Sequence, residues 1–130
     1  MAFSVYVLLC LAATLAIIQA QLLPSSILCA PASGPLITRD DCKKALSKFS
    51  SESNVVFWTD KVYSHSCGTC KLAITKPSIP NSVHHAAVRG DALTAMHQGI
   101  DKCQGKPTNA TIGNFQPISV LLDSGNGEKC

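Results

Sequence analysis

The chain has 130 residues, 11 Lys and Arg against 8 Asp and Glu, a net charge of +3 and seven cysteines. Its basic residues are scattered, with Lys43-Lys44 the only adjacent pair. There is therefore no basic stripe of the kind that neutralises phosphates, which excludes nucleic acid as a partner. The length suits one domain, and beyond residue 20 no apolar run is long enough to cross a membrane.

Residues 1–20 carry no charged side chain, and Phe3 to Ile18 is apolar except for Ser4 and Thr14. That run is short for a membrane span, and Ile18-Gln19-Ala20 places a small residue where export signals are cut. The expectation is a signal peptide over 1–20, cleaved between Ala20 and Gln21, and one secreted domain over 21–130. A retained signal anchor is the other reading. Cys10 leaves with the peptide, so an odd set becomes six: Cys29, Cys42, Cys67, Cys70, Cys103 and Cys130. An even set in a short exported chain reads as a disulfide framework, with each bridge contributing about 2–4 kcal/mol. Spacing leaves the pairing open.

Gln21–Pro35, rich in Pro, Ser and Ala, predicts an extended arm tied down at Cys29. Thr38 is a good N-cap, with Asp41 three residues on in an approximate capping box. Cys42, Ala45, Leu46 and Phe49 then form one apolar helical stripe. This helix is expected to stop near Ser50, with Ser-Ser-Glu-Ser-Asn as a loop. Val55–Thr59 is a strand signal in which Val56 and Trp58 share one face, opposite Val55 and Phe57. Val62–Ser66 and Cys70–Thr75 predict two more strands, the latter with Cys70, Leu72 and Ile74 on one face. Lys76–Ser82, with two prolines, predicts a loop, and Val83–Val88 a short strand or lead-in.

Leu93, Met96, Ile100 and Cys103 predict a second helix, opened at Gly90-Asp91 and ended by Gly105 and Pro107. Gly99 inside it is a weak point that permits close approach to another element. Strands over Thr111–Phe115 and Ile118–Leu122 follow, then a turn at Ser124–Gly127. This order predicts an α+β fold: an antiparallel sheet packed with two amphipathic helices, an α/β sandwich stapled by disulfides through Cys42 and Cys103.

Several motifs carry chemistry on paper. Cys67-Gly68-Thr69-Cys70 has the spacing of thiol–disulfide enzymes, but those place the first Cys at a helix N-terminus and this one runs into a strand. Structural bridges to different elements are the expectation, since residues three apart on a strand face opposite ways. His65, His84, His85 and His97 lack zinc-ligand spacing, so no metal site and no cofactor are expected. Glu52, Glu128, Arg89 and the histidines are the ingredients of a guanyl-specific ribonuclease without that family's arrangement. Asn109-Ala110-Thr111 is an N-glycosylation acceptor, expected in an exposed polar loop. Trp58 suits either the core or the edge of a sugar site, where a ring stacks on a pyranose face. With Tyr63 and the polar group Asn81, His84, His85 and Arg89 it makes the candidate glycan-binding set, Asp91 lying beside it.

Ile37-Thr38-Arg39-Asp40-Asp41-Cys42 opening a helix, Ser66-Cys67-Gly68-Thr69-Cys70-Lys71-Leu72-Ala73-Ile74, a helix ending at Cys103 and a terminal Cys130 follow one another along the chain. In this order the chain resembles the small secreted cysteine-rich glycan-binding proteins of mushrooms, of the shaggy ink-cap type. The resemblance implies a monomeric α/β sandwich acting as a lectin for N-acetylgalactosamine linked to N-acetylglucosamine, often fucosylated. It implies no metal cofactor and no reaction. The expected partners are glycans on glycoproteins or cell surfaces, with no membrane insertion. A secreted effector or toxin acting on a protein target is the alternative, and a small ribonuclease-like hydrolase the third.

Overall fold

A computed structural model describes residues 26–75, 84–113 and 117–130. The expected signal peptide, Asn81, the Lys76–Ser82 loop, Phe115 and the His84 side chain lie outside the described residues. The elements run β1 (Ser26–Cys29), α1 (Arg39–Ser47), β2 (Ser50–Glu52), β3 (Val55–Thr59), β4 (Ser64–Cys67), β5 (Cys70–Thr75), β6 (His84–Val88), α2 (Arg89–Cys103), β7 (Thr108–Ile112) and β8 (Ile118–Ser124). The fold is α+β, and every strand pairing is antiparallel. The strands form a five-stranded sheet, β1-β7-β8-β5-β4, and a three-stranded sheet, β2-β3-β6.

Local chemistry accounts for most of these boundaries. Thr38 caps α1 as its sequence suggests, its hydroxyl accepting from the Asp41 backbone N–H. α2 ends on Gln104 and Gly105, both with positive φ, which closes the helix in a left-handed turn. Three expectations are corrected. Ser-Ser-Glu is not loop but β2, because Ser53 and Asn54, at φ 47° and 63°, make a two-residue hairpin turn into β3. The strand expected over Thr111–Phe115 is β7, three residues earlier, and the arm predicted before Pro35 contains β1, which pairs with β7.

The helices cover one face of the five-stranded sheet, α1 on β4 and β5, α2 on β7 and β1. Leu72, Ile74, Val120 and Leu122 point under the helices and pack with Leu46, Met96 and the inward residues of β3, Val56 and Trp58. Gly99 allows α2 to approach β7 closely: a methyl there would stand 2.9 Å from Thr108 Cγ2. Among the described residues no helix lies over the opposite face of the sheet, the usual arrangement for antiparallel strands with one wet side.

Three disulfides staple the layers: Cys29–Cys103 joins β1 to the end of α2, Cys42–Cys70 joins α1 to β5, and Cys67–Cys130 joins β4 to the tail. The Cys67-x-x-Cys70 cysteines thus belong to different bridges, and Gly68-Thr69 is simply the turn between β4 and β5. That turn is latched to α1. The Asp41 carboxylate accepts from Thr69 N–H at 2.8 Å and from the Thr69 hydroxyl at 2.7 Å. These bonds, the backbone one foremost, hold the Asp41 pKa below its ordinary value. The tail wraps the same turn, with Gly68 N–H donating to Glu128 O and Gly127 N–H to Gly68 O.

Candidate functional site

Strand alternation sends Lys71, Ala73, Asn109, Leu121 and Asp123 to the uncovered face of the five-stranded sheet. Leu28, Asn109, Leu121, Ala73 and Ser64 stand opposite one another across five strands, forming a single transverse row. Beside it, Lys71 and Asp123 form the next cross-strand pair. The arm beyond β1, from Cys29 through Pro31 to Ser33, rises along one side, its course fixed by the Cys29–Cys103 bridge and by Ala30 N–H donating to Pro107 O at 2.8 Å. Tyr63, 45 % exposed, stands on the other side, immediately before β4. Together these residues enclose an open groove of about 450 Å³, within the range of small-ligand sites.

The groove is apolar at Leu28, Pro31, Tyr63 and Leu121, and polar at Lys71, Asp123 and Asn109. Asn109 is its most informative residue. Asn is a poor strand former, yet Asn109 sits in the second strand of the sheet, and among the described residues its buried Oδ1 has no hydrogen-bond partner. An acceptor left in that state costs about 1–3 kcal/mol. The acceptor sequence Asn109-Ala110-Thr111 is accordingly in a strand, not in the exposed loop expected from its polarity, because β1 and β8 pair on either side of it.

The residues singled out from sequence are spread over two sheets. Trp58 is 4 % exposed and belongs to the core. His85 faces it across the β3–β6 pair with ring centroids 5.7 Å apart, and its Nε2 lies 2.8 Å from the Asp60 carboxylate. Both rings are buried, so they present no open stacking surface. His84 pairs with Thr59 on the same sheet. Arg89 opens α2, its backbone N–H donating to Asn54 O. Of the candidate set, Tyr63 alone among the described residues lines the groove. Of the ribonuclease ingredients, Glu52 is in β2 and not in a loop, while Glu128 lies in the tail 3.9 Å from Lys48.

The remaining histidines, His65 and His97, are half-buried. His65 packs edge-on against Phe49 at 4.5 Å, and burial together with nearby Lys48 lowers its pKa. His97, on α2, is lowered by burial and by Arg39 and Lys43, against a smaller opposing pull from Asp101. Among the described residues no group of three or more His, Cys, Asp or Glu is placed to hold a metal ion, and no helix is long and apolar enough to cross a membrane. Comparison of the chain with family models, curated proteins and solved structures finds no match.

Proposed function

We propose that this is a secreted protein that binds glycans without transforming them, and that the binding site is the groove on the uncovered sheet face. The observation that carries the reading is the combination in one shallow groove of a half-exposed ring, Tyr63, with a polar lining residue, Asn109, and an opposed pair of charges, Lys71 and Asp123. A pyranose presents an apolar C–H face and a rim of hydroxyls. The ring and Leu121 suit the first, and the polar groups suit the second. Three disulfides support export, since such bridges persist in oxidising compartments. The ligand class implied by the resemblance, N-acetylgalactosamine–N-acetylglucosamine glycans, brings acetamido and hydroxyl groups that the exposed Lys71 and Asp123 side chains suit.

A single shallow groove gives weak binding, so clustered ligands on a cell surface would supply the avidity. The test is a broad glycan array probed with the oxidised protein over residues 21–130, free of any glycan of its own. Related hits that the free sugar competes, and that Tyr63→Ala removes, are expected. A blank array from folded protein refutes the reading and moves the effector alternative forward.

A further inference from the structure

Asn109 is at once the floor of the groove and the acceptor of an N-glycosylation sequence. These two facts conflict unless they are connected. We infer that an N-linked glycan on Asn109 seats in the groove and closes it to outside glycans, so that occupancy of this one position sets which copies of the protein bind. The inference rests on the glycan-binding reading of the groove and adds its regulation.

The chemistry is ordinary for an exported chain. Asn109 Nδ2 forms a bond to the anomeric carbon of an oligosaccharide carried on a polyisoprenyl diphosphate, the carbon–oxygen bond to the diphosphate breaks, and Nδ2 gives up one proton. The transfer takes place on the extended chain before folding, so the later burial of Asn109 in β7 does not prevent it. Folding then fixes where the first sugars go. β1 and β8 flank Asn109 in register, placing Leu28 on one side and Leu121 on the other. Asn109 lines the groove that the arm and Tyr63 wall in. A sugar joined there begins its course between those walls, and the two N-acetylglucosamines that start an N-linked glycan carry the acetamido and hydroxyl groups the groove is read to recognise.

Tethering decides the competition. A short tether gives an effective concentration of about 1 mM, and a shallow site has a dissociation constant of order 0.1 mM, so the attached glycan weakens apparent affinity for a free glycan about tenfold. Steric filling by the first sugar acts in the same direction.

The test compares the chain made in a glycosylating host with the same chain made in a bacterial periplasm and with Thr111→Val made in the glycosylating host. Thr111 is absent from the groove lining, and its hydroxyl meets Ser119 at 3.2 Å, so this variant loses the acceptor sequence and keeps Asn109. Intact mass reads occupancy. Contacts between sugar protons and Tyr63 or Leu121, measured by nuclear Overhauser effects, together with the rate of Tyr63 nitration, read seating. Array or titration affinity for N-acetylglucosamine-containing glycans reads closure.

The expected result is a glycan on Asn109, contacts to Tyr63 and Leu121, nitration slowed severalfold, and binding about tenfold weaker than in both unmodified forms. An unmodified Asn109 in the glycosylating host, a glycan without contacts to the groove, or equal affinities with and without it each overturn the inference while the binding reading stands. Absence of binding by both unmodified forms overturns the reading of the groove as a glycan site, and the gate with it.

Discussion

Asp41→Ala removes the latch between α1 and the β4–β5 turn, and its cost follows from the contacts. Two hydrogen bonds end on one carboxylate, from Thr69 N–H at 2.8 Å and Thr69 Oγ1 at 2.7 Å. Bonds to a charged acceptor contribute about 1.5–3 kcal/mol each when water is excluded. Asp41 and Thr69 are half-buried, so water replaces part of what is lost and the pair together is worth about 2 kcal/mol. Losing an acid in the first turn of α1 adds roughly 0.5 kcal/mol through the helix dipole. The expected loss is about 2–3 kcal/mol at pH 6, read by urea unfolding with the disulfides intact.

The pH dependence gives a second check. Thr69 holds the folded-state pKa of Asp41 below its unfolded value of 3.8, so the stabilisation is fully present above the unfolded pKa and is lost as pH falls through the lower folded pKa. The gap between wild type and Asp41→Ala should therefore be constant from pH 7 to about pH 5 and shrink below about pH 4. A loss under about 0.5 kcal/mol, or a gap that does not narrow in acid, refutes the reasoning.

Gly68→Ala strikes the same turn from the other side: φ is +53° and the new methyl would stand 2.5 Å from Asp41 Oδ2. Strain and clash together should cost roughly 2–3 kcal/mol, and less when introduced into Asp41→Ala; equal costs in both backgrounds would contradict the contact. Cys42→Ala with Cys70→Ala removes a buried bridge spanning 28 residues, for which loop entropy gives about 3.6 kcal/mol; a loss under about 1 kcal/mol in urea unfolding would count against it. His65 and His97 have lowered pKa values, so the unfolded chain takes up protons near its own pKa of about 6.5 while the fold resists. Melting temperature should thus fall as pH drops below about 6.5, and His97→Gln should flatten part of that slope; a rise on acidification would contradict the burial argument.

What the sequence made legible followed from period and punctuation. The α1 cap, the alternation of Val55–Thr59 and Cys70–Thr75, and the role of Gly99 as a close-approach point are all visible in short stretches of chain. β2 was not, because a Ser-Ser-Glu segment has little strand propensity and is held only by its hairpin turn and by β3. β1 was not for a related reason: its partner β7 lies some eighty residues away, and local pattern carries no register over that distance. The groove was the hardest part. Its residues come from the arm, β4, β5, β7 and β8, and they meet only because the strand order is β1-β7-β8-β5-β4. The one available signal was which residues alternate outward, Lys71 and Ala73 on β5, Leu121 and Asp123 on β8. Density of polar side chains pointed instead to the stretch around His84 and Arg89, which the fold puts on and beside the smaller sheet.

The central claim, that the uncovered face of the five-stranded sheet is the glycan site, is tested most directly by a two-dimensional NMR titration. The sample is the unglycosylated protein and the titrant an N-acetylgalactosamine–N-acetylglucosamine glycan. Saturable shifts are expected at Tyr63, Lys71, Asn109, Leu121 and Asp123, with the Trp58 indole and His85 unmoved. Shifts centred on Trp58, His85 and Arg89, or none at millimolar sugar, would contradict the account.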